Sequence, residues 1–346
     1  MARTGEKTRR TVFAPRIAEL FRAHRGEPLF RLEPDTIGVA GPDLMDALLR
    51  ARPANAEERP TFKPVLGRHV TRAESAALMR AVGADVRAAL GTPPTPDPAA
   101  LVGRWPGVAH NYLRDLVFGR EHRRFRVLVD RRLELTPKIT WAAVTTGAAM
   151  LWRPGSGPTS HLASLVLDAD NFPDRRFAMY LYRRVAAPVC FTVAALVTNA
   201  LWLGAPFDDD TPNRHLIDEA LRLLPPSWNI LRVASPEFGA VDRRIGAADD
   251  VLLLPLLSHR DPALWDDPDG FRPERWRGLD PDHAPGYLPF GHVRERCWGR
   301  NMVLPLAEHL LDAVRRGGLT VDPRQTTGRV PLDGLLEVAD VRVVRR

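Results

Sequence analysis

The stretch VAAPVCFTVAALVTNALWLGAPF, from Val185 to Phe207, contains no charged residue. By length alone it is able to cross a bilayer. Two features argue instead for the central helix of a globular protein. Pro188 interrupts the run, and Arg183-Arg184 and Asp208 to Asp210 flank it closely. A helix that is apolar all round must be enclosed by other elements, so the rest of the chain is expected to pack around it. The 346 residues are enough for a large core. Hydrophobic residues make up 45% and charged residues 26%, which is a globular balance.

The formal net charge is +7. Only Lys7, Lys63 and Lys138 are lysines, so nearly all the positive charge is arginine. That bias suits carboxylate and phosphate pairing, although GC-rich coding and ordinary surface pairing produce the same pattern. The basic residues form no repeated cluster interleaved with aromatics, which argues against nucleic-acid binding. Two cysteines, Cys190 and Cys297, make no disulfide framework. The N-terminus has charges but no apolar core of signal-peptide length. The expectation is a cytoplasmic protein with no membrane span.

Residues 1–346 read as a single domain, with residues 1–28 as a loosely ordered basic arm carrying one short amphipathic helix. PLFRLEPDTIGVAG alternates apolar and polar residues and suggests a small sheet. Thr71 to Gly91 has helical periodicity. Trp105 to Leu151 reads as two or three helices, and PGSGP at 154–158 as a loop. A long helix is expected at about 180–204, then a turn in which Asp210 or Thr211 caps a helix through Leu224. Pro225 and Pro226 stop that helix. Short strands, a Pro-rich coil, a helix from Asn301 to Arg316 and terminal strands complete a mainly α chain with small β-sheets.

Cys297 lies in FGHVRERCWGR. A free cysteine is usually a buried apolar thiol. Here Arg294, Arg296 and Arg300 surround it, and nearby cations favour thiolate. Gly291 and Gly299 permit a tight turn or close approach to a flat ligand. The residues after Gly299 begin a helix, whose N-terminus also favours an anion. The residues leave open a nucleophile, for which His292 is close in sequence as a base, or a metal ligand. The absence of a second nearby cysteine disfavours zinc.

FGHVRERCWGR resembles the haem-thiolate loop of cytochromes P450, usually Phe-Gly-x-Gly-x-Arg/His-x-Cys-x-Gly. Three further segments match that family in order. Glu219 and Arg222 in DEALRLLPP correspond to its Glu-x-x-Arg. Arg232 stands where it places an arginine on a haem propionate. HRDPALWDDPDGFRPERW, including His259, Asp267-Pro268, Phe271 and Arg275, corresponds to its meander. The resemblance implies the P450 fold, haem b (iron protoporphyrin IX) with Cys297 as iron ligand, and Phe290, Gly291, Arg294, Arg296 and Gly299 around the cofactor. It also implies a buried network of Glu219, Arg222 and Arg275. RHVTR resembles the segment whose His and Arg reach a propionate, which gives His69 and Arg72 that role, although the spacing differs and plain surface positions fit them equally.

The chain departs from the family pattern in several places. Val293 replaces the second glycine of the loop, and Glu295 replaces the Arg/His that would meet a propionate. An anion there is unfavourable, so Arg294 or Arg296 is expected to take over. The long helix lacks the acid–alcohol pair that relays protons. Thr192 keeps the alcohol, as a catalytic candidate, while Phe191 replaces the acid. The alternative for Thr192 is a hydroxyl bonded back to its own helix. Ala187-Pro188 resembles the peroxygenase branch in its proline but lacks that branch's arginine. Only about ten residues separate Ala205 from the Glu-x-x-Arg helix, where the family usually inserts another.

The resemblance implies oxidation of a small organic molecule in specialised metabolism, using O2 and electrons from a ferredoxin and ferredoxin reductase. Two other readings stand beside it. One is peroxide-dependent or non-oxygenating haem chemistry. The other is a degenerate member that binds a carrier protein or other partner without turnover.

Overall fold

A computed structural model gives the fold and describes residues 9–51, 64–93, 97–119, 123–134, 137–151, 160–166, 171–291, 296–332 and 334–346. The chain is mainly helical with small sheets. In order come β1 (Arg10–Phe13), α1 (Pro15–His24), β2 (Leu29–Glu33), β3 (Thr36–Val39), α2 (Pro42–Arg50) and α3 (Arg72–Gly91). β4 (Gly103–Trp105), α4 (Gly107–Phe118), α5 (Arg123–Leu128), α6 (Arg131–Glu134), α7 (Lys138–Met150), α8 (His161–Val166) and α9 (Phe172–Gly204) follow. The last third holds α10 (Asn213–Leu223), β5 (Ile230–Arg232), α11 (Pro236–Val241), β6 (Asp250–Leu253), α12 (Pro255–Ser258), α13 (Arg300–Arg316), β7 (Leu319–Val321), β8 (Thr327–Val330) and β9 (Val341–Arg345).

The chain divides into two compact units. One comprises Met1–Glu57, Ala195–Cys297 and Thr320–Arg342; the other comprises Glu58–Ala194, Trp298–Leu319 and Val343–Arg346.

The first unit holds the expected small sheet, in strand order β2-β3-β6-β5. β2 and β3 form an antiparallel pair, β6 runs parallel to β3, and β5 is antiparallel to β6. Ile37, Val39, Val251 and Leu253 pack from this sheet onto Met45, Leu48 and Leu49 of α2 and onto Phe238. The N-terminal arm, from Arg9 onward, is tied down. β1 pairs parallel with β8. The Arg9 guanidinium donates to the carbonyls of Leu201 (3.1 Å), Trp202 (2.8 Å) and Ala205 at the end of α9. A cation at a helix C-terminus adds a donor where the last carbonyls run out of intrahelical partners.

In the second unit, α3 begins where expected. Thr71 caps it reciprocally with Glu74, with Oγ1 accepting the Glu74 N–H at 3.1 Å and Oε2 accepting the Thr71 N–H at 2.8 Å. Among the described residues, the Trp105 to Leu151 stretch forms four helices rather than two or three. Asp130 caps one start by accepting the Arg132 N–H at 2.8 Å, and Pro137 precedes another. The PGSGP segment lies outside the described residues.

The long apolar run lies mostly within α9, which starts earlier than expected, at Phe172, and ends at Gly204. The helix passes through Pro188 without ending. It is long and apolar enough to cross a membrane, but 89% of its most apolar window is buried in the protein, as expected for a core helix. The expected cap of α10 is a correction. Pro212, not Asp210 or Thr211, occupies the N-cap, and no side chain caps the helix. Its extended φ/ψ, −60° and 138°, sets the entry, so an Asp or Thr side chain one or two residues earlier is out of register.

Candidate functional site

Glu219 and Arg222 face the same way because they are three residues apart on α10. Both are completely buried. Arg222 donates through Nε to Glu219 Oε2 at 3.0 Å and through Nη2 to Oε1 at 2.8 Å. Its remaining N–H groups reach the carbonyls of His259 (2.8 Å), Pro268 (2.7 Å) and Gly270 (2.9 Å). All five guanidinium donors are used. Glu219 also accepts from Arg275 Nε (3.1 Å), Trp276 Nε1 (2.9 Å) and the Arg272 N–H (2.9 Å). The expected three-residue network is therefore present, with Trp276 and two backbone segments added. A buried ion pair is tolerable only when its remaining lone pairs and protons find partners, and here the meander supplies them.

The same network positions the cysteine loop. The backbone of His259 is held by Arg222, and its ring Nε2 accepts the Leu288 N–H at 3.0 Å. Nε2 is thus the bare nitrogen, so Nδ1 carries the proton. Burial, then the charge of Arg222, pushes the His259 pKa down to about 3. Ser258 Oγ donates to the Gly286 carbonyl at 2.8 Å, and Tyr287 OH donates to the Asp218 carbonyl at 3.0 Å. Burial raises the pKa of both Tyr287 and Asp218. Three successive residues before the loop, Gly286, Tyr287 and Leu288, are thereby anchored to α10 and α12.

The chain then turns. Gly291 has φ +75°, which favours glycine. Its N–H bonds the Leu288 carbonyl at 3.1 Å, and the Cys297 N–H bonds the Phe290 carbonyl at 2.8 Å. The backbone of Cys297 is thus fixed while its thiol is free and exposed. Gly299 has φ −67° and ψ −16° and leads straight into α13; its backbone needs no glycine. A fixed, accessible thiol at the end of a closed turn fits an axial thiolate ligand.

The other sequence-derived candidates divide. Arg296 donates to Asp282 at 3.1 Å, so its guanidinium is already engaged by a carboxylate. Arg294, with His292, Val293 and Glu295, lies outside the described residues. Arg232 is half-buried at the end of β5. His69 and Arg72 are both exposed, Arg72 at the first position of α3, and they belong to the other unit.

On α9, Thr192 is half-buried. Among the described residues its hydroxyl has no partner, whereas Thr145 donates back to the Trp141 carbonyl at 2.7 Å. Pro188 supplies no N–H to the Arg184 carbonyl one turn earlier. Phe191 is buried against His110, with ring centroids 4.6 Å apart, and the Arg131 guanidinium lies 5.7 Å from its ring. His110 is fully buried, and its Nε2 lies 2.6 Å from the Val129 carbonyl, so that nitrogen carries the proton. Burial lowers its pKa to about 4. Cys190 is sealed inside, its pKa pushed up to about 12 by burial. His110 has no signal in sequence, because nothing local pairs it with a residue eighty positions away. Trp276 was visible only as part of the meander motif.

The Cytochrome P450 family model matches residues 214–307, the stretch that builds this network and loop. Cyclooctatin synthase of Streptomyces melanosporofaciens is 41% identical over 91 residues, covering 25% of this chain and 19% of that protein. Cyclooctat-9-en-7-ol 5-monooxygenase of the same organism is 37% identical over 116 residues, covering 31% of this chain and 24% of the relative. The chain thus spans about a fifth to a quarter of these curated relatives. Fold similarity extends much further. The Streptomyces peucetius CYP105P2 complex with a biphenyl compound aligns with a TM-score of 0.58 at 17% identity, over 99% of this chain and 98% of that one. Open P450 EryK from S. erythraea gives 0.57 at 17%, over 95% of each. At that identity the likeness speaks for the fold alone. A helical chain with small sheets, a Glu-x-x-Arg network and a cysteine loop is the arrangement that these similarities share. Residues 214–307 thus resemble the cytochrome P450 family, whose members bind haem b, and the chain as a whole shares the fold of its solved structures.

Proposed function

We propose that the protein is a haem-thiolate oxidoreductase of specialised metabolism that acts on a small organic molecule, with Cys297 as the iron ligand. The observation that carries this is the chain of contacts from Glu219 and Arg222 through His259 to the loop that presents the Cys297 thiol. Bound haem would supply the redox chemistry, and the thiolate would push electron density onto the iron. Phe290 and Gly291 would close the turn beneath the cofactor, and Arg232 would meet a propionate. The relatives named for cyclooctatin synthesis and for a monooxygenase favour oxidation of a small molecule in such a pathway. Electrons would come from a ferredoxin-type carrier. Arginine-rich surfaces suit an acidic partner.

One observation favours a second reading, peroxide-dependent or non-oxygenating haem chemistry. Phe191 fills the place of the acid, and α9 has no Asp or Glu after Asp174. Proton delivery then rests on Thr192, ordered water or the substrate's own groups.

The test of the haem-thiolate reading is the reduced CO spectrum of the purified protein. The expected result is the strongly red-shifted Soret band of thiolate ligation, lost in Cys297→Ala and kept in Cys190→Ala. Retention of the band in Cys297→Ala overturns the assignment. Absence of bound haem in the native protein favours the non-catalytic reading. Turnover with reductant or with peroxide separates the two enzymatic readings.

A further inference from the structure

We propose that Tyr287 and Trp276 form an electron-donating relay behind the cysteine loop, in which Tyr287 is the first donor and Asp218 takes its proton. The relay discharges an oxidised haem that has met no substrate. It is a further activity of the same region and rests on the haem-thiolate reading.

Three oxidisable rings and one imidazole pack together just before the loop. Ring centroids lie 4.8 Å apart for Trp276 and Tyr287, 5.8 Å for Trp265 and Trp276, 6.3 Å for Trp265 and Tyr287, and 5.1 Å for His259 and Tyr287. All four side chains are buried. Indole and phenol give up a single electron more readily than other ring side chains, and electrons pass easily between rings in contact. The path onward to the cysteine is short. Tyr287 stands three residues before Phe290, at most about 11 Å of chain. The Phe290 carbonyl accepts the Cys297 N–H at 2.8 Å.

The three rings differ in how well they hold the positive hole that an electron leaves behind. Trp265 faces two guanidinium groups, Arg222 at 5.1 Å and Arg275 at 5.8 Å, and like charge opposes a hole there. Its Nε1 donates to the Ser258 carbonyl at 3.0 Å, which takes no proton. Trp276 donates to Glu219 Oε2 at 2.9 Å, and the anion favours a hole on that indole. Glu219 is also bound by Arg222 and Arg275, which makes it a poor proton acceptor, so the indole keeps its proton. Tyr287 is the ring with a base in reach. An oxidised phenol sheds its proton at once. Tyr287 OH donates to the Asp218 carbonyl at 3.0 Å and lies 3.4 Å from Asp218 Oδ1. Arg214 Nε holds the other oxygen, Oδ2, at 2.8 Å, which leaves Oδ1 to the phenol. Burial raises the pKa of Asp218 and so favours its protonated form. Burial also raises the pKa of Tyr287, so the phenol keeps its proton until the electron leaves.

Each step conserves electrons and protons. Tyr287 gives one electron to the oxidised haem and its phenolic proton to Asp218 Oδ1, which leaves a neutral tyrosyl radical and a carboxylic acid. Trp276 then gives one electron to Tyr287, and the proton returns from Asp218 to the phenol oxygen. One electron from a small soluble reductant refills Trp276 and draws that step forward. Trp276 is buried, but Arg277 beside it is exposed and Arg275 half-buried, so the indole sits close beneath the surface.

The test mixes purified, haem-loaded protein with hydrogen peroxide, without substrate, and freeze-quenches it for EPR. A tyrosyl signal is expected, and ring-deuterated tyrosine should narrow it. The chain has four tyrosines, so the assignment is direct. The signal should be lost in Tyr287→Phe and kept in Tyr112→Phe, Tyr180→Phe and Tyr182→Phe. Asp218→Asn keeps the shape of the acceptor but takes no proton, and it should lose the signal too. With ascorbate present, the signal should outlast the native one in Trp276→Phe and match it in Trp265→Phe. A tyrosyl signal that survives Tyr287→Phe overturns the proposal. So does the absence of any protein radical in native protein that shows the thiolate Soret band. An unchanged lifetime in Trp276→Phe overturns the second step. If Tyr287→Phe does not hold haem, mass mapping of spin-trap adducts on the native protein decides. Adducts at Tyr287 support the relay, and adducts confined to the other tyrosines overturn it. Absence of the Soret band from the native protein overturns the haem-thiolate reading itself, and the relay with it.

Discussion

At Phe191, an aromatic ring takes the position that the proposed reading gives to the family's acid, and its surroundings are built for a ring. It packs on His110 and beneath Arg131. Replacing it with aspartate removes that packing and buries a carboxylate beside a neutral imidazole. Losing a buried phenylalanine side chain typically costs about 3–5 kcal/mol, and pairing with Arg131 recovers only part of this. Phe191→Asp should therefore melt lower and show no gain in coupled turnover. A variant that couples better than the native protein would show that this site lacks only its acid. Thr192→Ala should slow turnover by less than about tenfold, well short of the 10²–10⁴ that a general acid–base group contributes. Stopped-flow and product-to-reductant ratios read both effects. Tightly coupled hydroxylation that collapses in Thr192→Ala would restore the ordinary proton relay.

The element that decides whether the loop forms is α10 with its meander. Removing one partner of a buried ion pair costs about 3–5 kcal/mol, because the other charge is left uncompensated. Glu219→Ala and Arg222→Ala should purify poorly or without haem. Trp276→Phe keeps one aromatic ring but removes one donor to Glu219 and part of the buried indole packing, so its cost should be about 2–3 kcal/mol, below that of the charge deletions. Denaturant midpoints should rank the native protein first, then Trp276→Phe, then the two charge deletions. Stable, haem-replete charge deletions would remove the network from its structural role. On α9, Pro188 has no N–H to offer the carbonyl one turn earlier. Pro188→Ala restores that N–H, and the helix should gain stability.

At the scale of the whole molecule, two fully buried histidines among the described residues contribute to the response to acid. Burial lowers His259 to about 3 and His110 to about 4. Arg222 and Arg260 add to the effect at His259. At His110, Arg131 and Arg114 add to it, while Asp130 and the Val129 carbonyl oppose it. Both rings are neutral in the folded state, and in the unfolded chain each binds a proton near pH 6.5. The unfolded state thus holds more protons between about pH 6.5 and 4. Stability is complete above pH 6.5 and falls as pH drops, by up to about 1.4 kcal/mol per pH unit for each histidine. Asp218, raised by burial, acts in the opposite sense. The histidine share is therefore read as a difference. His259→Gln should flatten the slope of unfolding free energy between pH 6 and 4.5, as measured by urea titration. An unchanged slope would mean that His259 is already charged in the fold.

Much of the local chemistry was legible from residue order alone. Glu219 and Arg222 share a face because a helix turns every 3.6 residues, and Pro225 ends that helix because proline carries no N–H. Thr71 and Glu74 announce a helix start. The uncharged run of α9 had to be buried or enter a membrane, because apolar surface of that extent is unfavourable in water. Tertiary structure decided the remainder. Which side of α9 stays accessible, and hence that Arg183 is buried while Arg184 is exposed, depends on what packs around the helix. Phe191 meets His110, and Arg9 caps the end of α9, across separations of eighty residues or more. His259 reaches Leu288 because the meander returns to α10. Sequence carries the local rules of turn, cap and period. Contacts between distant residues arise only once the chain has closed on itself, where burial and shape select partners that no spacing announces.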